Sequence, residues 1–356
     1  MPKTVVVGMS GGVDSSVAAL LLKEQGYQVI GLFMKNWEEI DERGICSAAL
    51  DYEDVALVCN QLDIPYYSLN FAQEYWDTVF APCLEQFAAG NTPNPDVLCN
   101  QQIKFSLFFR KAIEMGADFV ATGHYCQKLL HQGEWLLARA KDSAKDQSYF
   151  LYTLQSSILD RVLFPLGELT KKEVRSLAKK HNLATAAKKD STGICFIGKR
   201  PFKAFLSQHL PMQAGNLETL SGEVVGRHDG MAYYTVGQRR GLGIGGPGEP
   251  WYVVGKDPER NVVYVEQGEQ HEALFQKELI ASEIHWIGKE PPFPYRCQAK
   301  IRYRSPDVAC KVMTPKEGRL KVEFDAPQKA ITAGQSIVFY DKNLCLGGAI
   351  ICICRL

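Results

Sequence analysis

The opening residues, MPKTVVVGMSGGVDSS, constrain this chain more than any other stretch. TVVVGM (4–9) is a continuous apolar run, the pattern of a strand buried on both faces. SGGVDSS (10–16) follows at once and leads into VAALLLKEQG (17–26), which reads as a helix ending at Gly26. Strand, glycine-rich turn and helix in that order belong to an open α/β sheet, which places its ligands at such turns. Two glycines let the backbone approach a ligand closely, and the N–H groups at the helix start favour an anion. Ser10 and Ser15 add hydroxyl donors. Asp14 is unexpected beside an anion; it either orders the loop or helps hold a magnesium ion that accompanies phosphates. The loop lacks the Gly-Lys-Ser/Thr ending of a Walker A motif, and G-x-G-x-x-G is absent. Its plainest alternative is a glycine-rich turn with a Ser/Asp helix cap.

The alternation continues to about residue 200. YQVIGLFM (27–34) reads as a strand, EDVALVCNQLD (53–63) as a helix and PYYSLNF (65–71) as extended chain. A long helix near 72–89 is closed by Gly90, a loop NPDVLCN (94–100) follows, then a helix around 101–115 and a strand DFVATGHY (118–125). TKKEVRSLAKKHNL (170–183) opens with a capping box, Thr170 to Glu173. This order predicts an α/β fold with a parallel sheet and helices on both faces. Residues 201–280 are glycine-rich with short strands, and from about 281 longer alternating strands (AKIRYR, RLKVEFD, QSIVFYD) predict a small antiparallel barrel. The expected units are therefore 1–200, 201–280 and 281–356.

Net charge is zero, with 40 basic and 40 acidic residues, yet Lys and Arg exceed Asp and Glu by 12 to 7 in residues 281–356. A local basic region, not the total, is what draws a polyanion. Apolar runs such as VAALLL (17–22) are too short to span a bilayer, and the N-terminus lacks a secretory h-region, so a cytoplasmic protein without a membrane is expected. Eleven cysteines then imply reduced thiols. Cys352 and Cys354 sit two positions apart, on one face of an expected terminal strand, and read as packing; no metal site is expected. Cys59, Cys83 and Cys126 fall inside apolar periodic segments and read as core fillers, whereas Cys46 lies in a loop. Two others stand out, Cys99 in NPDVLCN and Cys195 in KKDSTGICFIG (188–198), where Lys188 and Lys189 would lower a thiol pKa.

The S-G-G-x-D-S loop resembles that of the ATP pyrophosphatase (PP-loop) superfamily, whose members adenylate a substrate oxygen. GMSGGVDSS, NPDVLCN with IKF, ATGHY, KDQSYFL, DSTGICFIG, TVGQRRGLGIGG and CLGGAI, in order from residue 8 to residue 350, resemble the tRNA-specific 2-thiouridylase family. The resemblance implies ATP-dependent adenylation of the C2 oxygen of a wobble uridine in tRNAs for Lys, Glu and Gln. Persulfide sulfur then replaces it, giving 2-thiouridine, AMP and pyrophosphate. It implies ATP, with magnesium, at Gly8, Met9, Ser10, Gly11, Gly12, Val13, Asp14, Ser15, Met34 and Gly123. Cys195 would carry a persulfide from a sulfur-relay protein or cysteine desulfurase. Cys99 would be the catalytic nucleophile that later pairs with it, and Asp96 the general acid/base. Asn94, Pro95 and Asp96 would line the target base. His124, Lys145, Asp146, Gln147, Arg302, Tyr303 and Gln335 match tRNA-contacting positions, and Arg304 would share a strand face with Arg302. For His124 alone, a hydrogen-bonded core histidine is the simpler reading.

Two adenylate chemistries set this apart from its rivals. Uracil's carbonyl oxygen leaves poorly until adenylated, and a persulfide needs a second thiol to break its S–S bond. A PP-loop amide or C–N ligase would need neither cysteine, and a non-catalytic tRNA-binding protein would bind tRNA regardless of ATP.

Overall fold

The computed structural model describes residues 2–37, 47–131, 133–189, 202–211 and 213–353. β1 (Thr4–Met9) is followed by α1 (Val13–Glu24), β2 (Gln28–Lys35), α2 (Ser47–Gln61) and β3 (Tyr66–Asn70). Two longer helical stretches come next, α3 over 72–88 and α4 over 95–114, each containing π-helical turns, at Trp76–Phe80 and Cys99–Phe108. β4 (Phe119–Ala121) and β7 (Val162–Leu163) complete a sheet in the order β3-β2-β1-β4-β7. All its pairings are parallel, as the apolar runs predict.

The side-chain alternation of β1 sorts the molecule into two cores. Val5, Val7 and Met9 face α1 and α2, in one cluster with Val17, Val55 and Cys59. Val6 faces the other way, in a cluster with Leu32, Met34, Phe80, Cys83, Cys99 and Phe108. Each such apolar side chain contributes about 1.5–3 kcal/mol when fully buried. The expected strand over 118–125 ends at Ala121, because Gly123 lies against the start of α1: a Cβ there would stand 2.8 Å from the Ser15 nitrogen. α5 (Lys171–Lys180) carries the expected capping box, with Thr170 N–H donating to Glu173 Oε2 at 2.6 Å.

Past α6 (Phe202–Ser207), β8 (Gly215–Glu218), β9 (Val224–His228), β10 (Trp251–Asp257) and β11 (Val262–Gln267) form a four-stranded sheet in the order β10-β11-β8-β9. β12 (Phe275–Trp286), β13 (Tyr295–Lys300), β14 (Val308–Val312), β15 (Leu320–Lys329), β16 (Ser336–Asp341) and β17 (Leu344–Ile353) form an antiparallel barrel, closed by pairing of β12 with β17. One feature departs from the expected segmentation. A hairpin, β5 (Cys126–His131) and β6 (Glu134–Arg139), leaves the first 200 residues and extends the barrel sheet through Leu344↔Ala138 and Cys345↔Leu137. Among the described residues no helix is long and apolar enough to cross a membrane.

Candidate active site

The glycine-rich loop sits where the strand order reverses, between β1 and β4. Gly11 has φ +70°, and a Cβ on it would stand 2.5 Å from the Asp51 carbonyl oxygen of α2, so a side chain is excluded twice over. The Gly12 carbonyl accepts from the Ser15 hydroxyl at 3.1 Å and the Ser16 hydroxyl at 2.8 Å. Ser15 Oγ also accepts from the Ser10 N–H at 3.1 Å, which folds the loop back on the helix start. Gly8, Met9, Ser10, Gly11, Gly12, Val13, Asp14, Ser15 and Gly123 thus come together, with Met34 forming a wall on the adjacent β2. Gly8 is confined as well: a Cβ would lie 3.3 Å from the Phe108 ring and 3.6 Å from Met34 Cε.

Asp14 orders the loop. Its carboxylate accepts from Lys171 Nζ at 2.7 Å to both oxygens and from the Tyr125 hydroxyl at 2.8 Å. Those donors hold the carboxylate in place against the loop, and its side chain stays one-third exposed, 33%. No cluster of three or more metal-ligating side chains occurs among the described residues.

Beside the loop, Ser10, Phe33, Met34, Asn36, Trp37 and Asp51 line a cavity of about 30 Å³. That volume is far too small for a nucleotide. Asn36 is 1% exposed, and among the described residues neither atom of its amide has a hydrogen-bond partner. A buried, orphaned donor–acceptor pair is costly unless a ligand completes it. Sequence reading missed Asn36, which carries no signal beyond its place after a strand. A larger cavity of about 410 Å³ lies elsewhere, lined by Arg139, Lys141, Asp146, Lys300 and Asp307 among others, and includes no residue of the glycine-rich loop.

The stretch NPDVLCN is helical, which corrects its reading as a loop. Asn94 caps α4, its Oδ1 accepting from the Val97 N–H at 3.4 Å, and Pro95 occupies the first helical position. Asp96 is acidic in the first turn, where the helix dipole favours its charge. Cys99 opens the π-helical turns and is fully buried in the cluster that includes Val6 of β1. Its neighbour Asn100, 2% exposed, donates through Nδ2 to the Phe150 carbonyl at 3.0 Å, while its Oδ1 has no partner among the described residues. Cys83 lies within electrostatic range of Asp96, and burial first, then that carboxylate, push its thiol up to about 12. Burial likewise raises Cys59 to about 11, so both thiols stay protonated at neutral pH, in keeping with core fillers.

The residues just before this helix are held from two directions. Lys256 Nζ of β10 donates to the Gly90 carbonyl at 2.8 Å. From the barrel, Gln335 Nε2 donates to the Thr92 carbonyl at 2.7 Å, and Thr92 N–H donates to the Ala333 carbonyl at 2.9 Å. Burial lowers the Lys256 ammonium to about 8.

The remaining expected tRNA-contacting residues are used in different ways. His124 is buried, its Nδ1 2.8 Å from the Thr122 hydroxyl, and burial first, then Lys104, holds its pKa well below the ordinary range. It is a neutral imidazole. Asp146 is 5% exposed and accepts from the Ala140 and Ser148 N–H groups and the Ser148 hydroxyl. Gln147 Oε1 accepts from the Tyr125 N–H at 2.9 Å, and Lys145 is half-buried in the same stretch. β13 ends at Lys300, so Arg302 and Arg304 do not share a strand face as expected; both lie in the turn 301–307. The Arg302 guanidinium donates to the Val236 and Ala330 carbonyls at 2.8 and 2.9 Å and to Thr332 Oγ1 at 2.7 Å. Arg304 is exposed. The Tyr303 ring lies 4.4 Å from that of Phe150, whose carbonyl anchors Asn100. The structure therefore brings Tyr303 and Gln335 to the Asn94–Cys99 turn, and leaves Arg302 tying the barrel to the central sheet.

Cys195 and Cys46 lie outside the described residues, but the flanks of the Cys195 stretch are fixed. Lys188 is ion-paired with Asp51 at 2.8 Å and Asp54 at 2.5 Å, so its charge is matched by two carboxylates. On the other flank Phe205 of α6 joins the Cys99 cluster, and His209 packs on Trp37, Trp76 and Phe80.

Comparison with known proteins places each segment. Residues 3–199 match the model for a tRNA methyl transferase HUP domain, 203–267 a tRNA methyl transferase PRC-barrel domain, and 276–351 an aminomethyltransferase β-barrel domain. A tRNA-specific 2-thiouridylase MnmA from Protochlamydia amoebophila is 59% identical over 98% of this chain and 93% of that protein. One from Halalkalibacterium halodurans is 59% identical over 98% and 94%, and one from Geobacillus thermodenitrificans 58% over 98% and 94%. With identity at that level across all three segments, the chain belongs to the tRNA-specific 2-thiouridylase MnmA family.

Proposed function

We propose that the chain is a tRNA 2-thiouridine synthase acting in the cytoplasm, with ATP as cosubstrate and a persulfide as sulfur source. The observation that carries this reading is the shared core. Val6 of β1, which feeds the anion-binding loop, packs in one cluster with Cys99 and with Phe205, which follows the Cys195 stretch. An adenylating loop and a catalytic thiol need to lie close together, because the activated oxygen and the incoming sulfur meet at one carbon.

The N–H groups of the 10–15 loop would hold the phosphates of ATP, and the orphaned Asn36 amide offers a donor and an acceptor to the base edge. Magnesium would arrive with the phosphates, and Asp14 is held by Lys171 and Tyr125. Asn94, Pro95 and Asp96 would receive the extruded uridine, at an unstacking cost of a few kcal/mol. Asp96 would act as acid/base and Cys195 as the persulfide carrier; Cys99 would attack the Cys195 sulfur, breaking the S–S bond so that the outer sulfur stays on the base and a Cys99–Cys195 disulfide remains. Tyr303, Arg304 and Lys145 would face the anticodon stem-loop of tRNAs for Lys, Glu and Gln, with Gln335, His124, Asp146 and Gln147 supporting them. A sulfur-relay protein or cysteine desulfurase would load Cys195. The units 1–200, 201–280 and 281–356 would act as catalytic, central and tRNA-binding parts.

The family models speak of methyl transfer, whereas the relatives' names speak of thiolation. Thiolation gives Cys99 and Cys195 a role, and methyl transfer gives them none. Mass analysis of anticodon nucleosides after incubation with ATP, tRNA and a persulfide donor separates the two. Wild type should give 2-thiouridine, and Cys99→Ala and Cys195→Ala should give none; thiolation surviving either change refutes the mechanism.

A further inference from the structure

Away from this site, Cys297 on β13 and Cys310 on β14 stand directly opposite each other in the barrel. Their sulfurs are 3.8 Å apart, and they are separated by thirteen positions in the chain. Directly paired antiparallel residues have Cα atoms roughly 4.5–5.5 Å apart, inside the roughly 4.4–6.8 Å that a disulfide requires. Closing the bond needs the sulfurs to approach by about 2 Å, within reach of side-chain rotation and without a register change. Cys297 is partly exposed and Cys310 is 1% exposed, so an oxidant meets Cys297 first and Cys310 is poised behind it. The two strands flank the turn 301–307 that presents Tyr303 and Arg304.

We propose that Cys297 and Cys310 form an oxidation site that closes to a cross-strand disulfide with hydrogen peroxide as two-electron oxidant. The Cys297 thiolate attacks the peroxide oxygen, giving a sulfenic acid and, after protonation, water. The Cys310 sulfur then displaces the sulfenic hydroxyl as a second water, so two thiols and one peroxide give one disulfide and two waters. The hydrogen bond with Cys310, and then burial, raise the Cys297 thiol well above its ordinary pKa. Closure is therefore slow at neutral pH and accelerates about tenfold per pH unit while the thiol stays mostly protonated. The site is independent of the thiolation chemistry, which uses other cysteines.

The test treats the full-length protein with hydrogen peroxide, alkylates the remaining thiols after unfolding, and maps peptides without reduction. The expected result is a linked Cys297–Cys310 peptide, with alkylation of both lost in step and restored by dithiothreitol. Amide exchange in 301–307 should slow on oxidation in wild type and not in Cys297→Ser. Cys297 reaching sulfinic acid while Cys310 remains fully alkylated would overturn the proposal. So would a pair that stays reduced at about pH 9, where more thiolate is present, at peroxide doses that oxidise exposed methionines, or a link from Cys297 to a different cysteine.

Discussion

Gln335 Nε2 donates to the Thr92 carbonyl at 2.7 Å, joining two residues 243 positions apart and fixing the chain just before Asn94. Replacing Gln335 by Ala leaves that carbonyl without its donor, a cost of about 1–3 kcal/mol. If Gln335 acts by positioning the Asn94–Cys99 turn, Gln335→Ala lowers kcat for thiolation about tenfold, equivalent to about 1.4 kcal/mol of barrier. A rise in KM for tRNA with kcat unchanged would instead show a contact made to tRNA alone.

Arg302 satisfies three acceptors between the barrel and the central sheet. Arg302→Met strands them, and thermal unfolding should show a loss of about 2–4 kcal/mol. The salt dependence of tRNA binding should keep its slope. For Arg304, exposed in the same turn, the expectation is reversed: Arg304→Ala reduces the slope by about one and leaves stability within about 0.5 kcal/mol.

Gly123 leaves no room for a Cβ beside Ser15 N. Gly123→Ala should push the start of α1 away from β4, at about 1–3 kcal/mol of stability, and weaken ATP binding by calorimetry. Asn36→Ala, by contrast, removes an orphaned amide, so ATP affinity should fall while the melting temperature holds or rises.

Lys256 gives a pH signature. Its folded pKa is about 8, against 10.5 in the unfolded chain. Below pH 8 both states hold the proton and stability is flat with respect to this group. Between 8 and 10.5 the unfolded chain binds a proton that the folded chain does not, so stability rises with pH, by on the order of 3 kcal/mol across the window. Lys256→Met should remove that rise in denaturant titrations at about pH 7.5 and about pH 10. A rise of equal size in the variant would assign it to another group.

Much of the architecture was legible in local pattern. TVVVGM forms a parallel strand because every face of it is apolar, and Thr170 and Glu173 cap their helix because both partners lie within one turn. NPDVLCN misled for a local reason: Asn, Pro and Asp are turn formers and also the preferred residues of a helix start, and the apolar faces that decide between these lie elsewhere in the chain. AKIRYR misled because its alternation runs past Lys300, where Arg302 finds its acceptors on residues 236, 330 and 332.

The sequence by itself determined which groups can bind an anion, open a sulfur–sulfur bond or start a helix, since those depend on residue type and near neighbours. It also carried the resemblance that named the chemistry. Tertiary structure alone decided which of those groups meet. Cys99 shares a core with Val6, Asp14 is neutralised by Lys171 from 157 positions away, and His124 is held neutral by burial. Contact, burial and charge compensation are set by the packing of distant segments, and no local pattern encodes them.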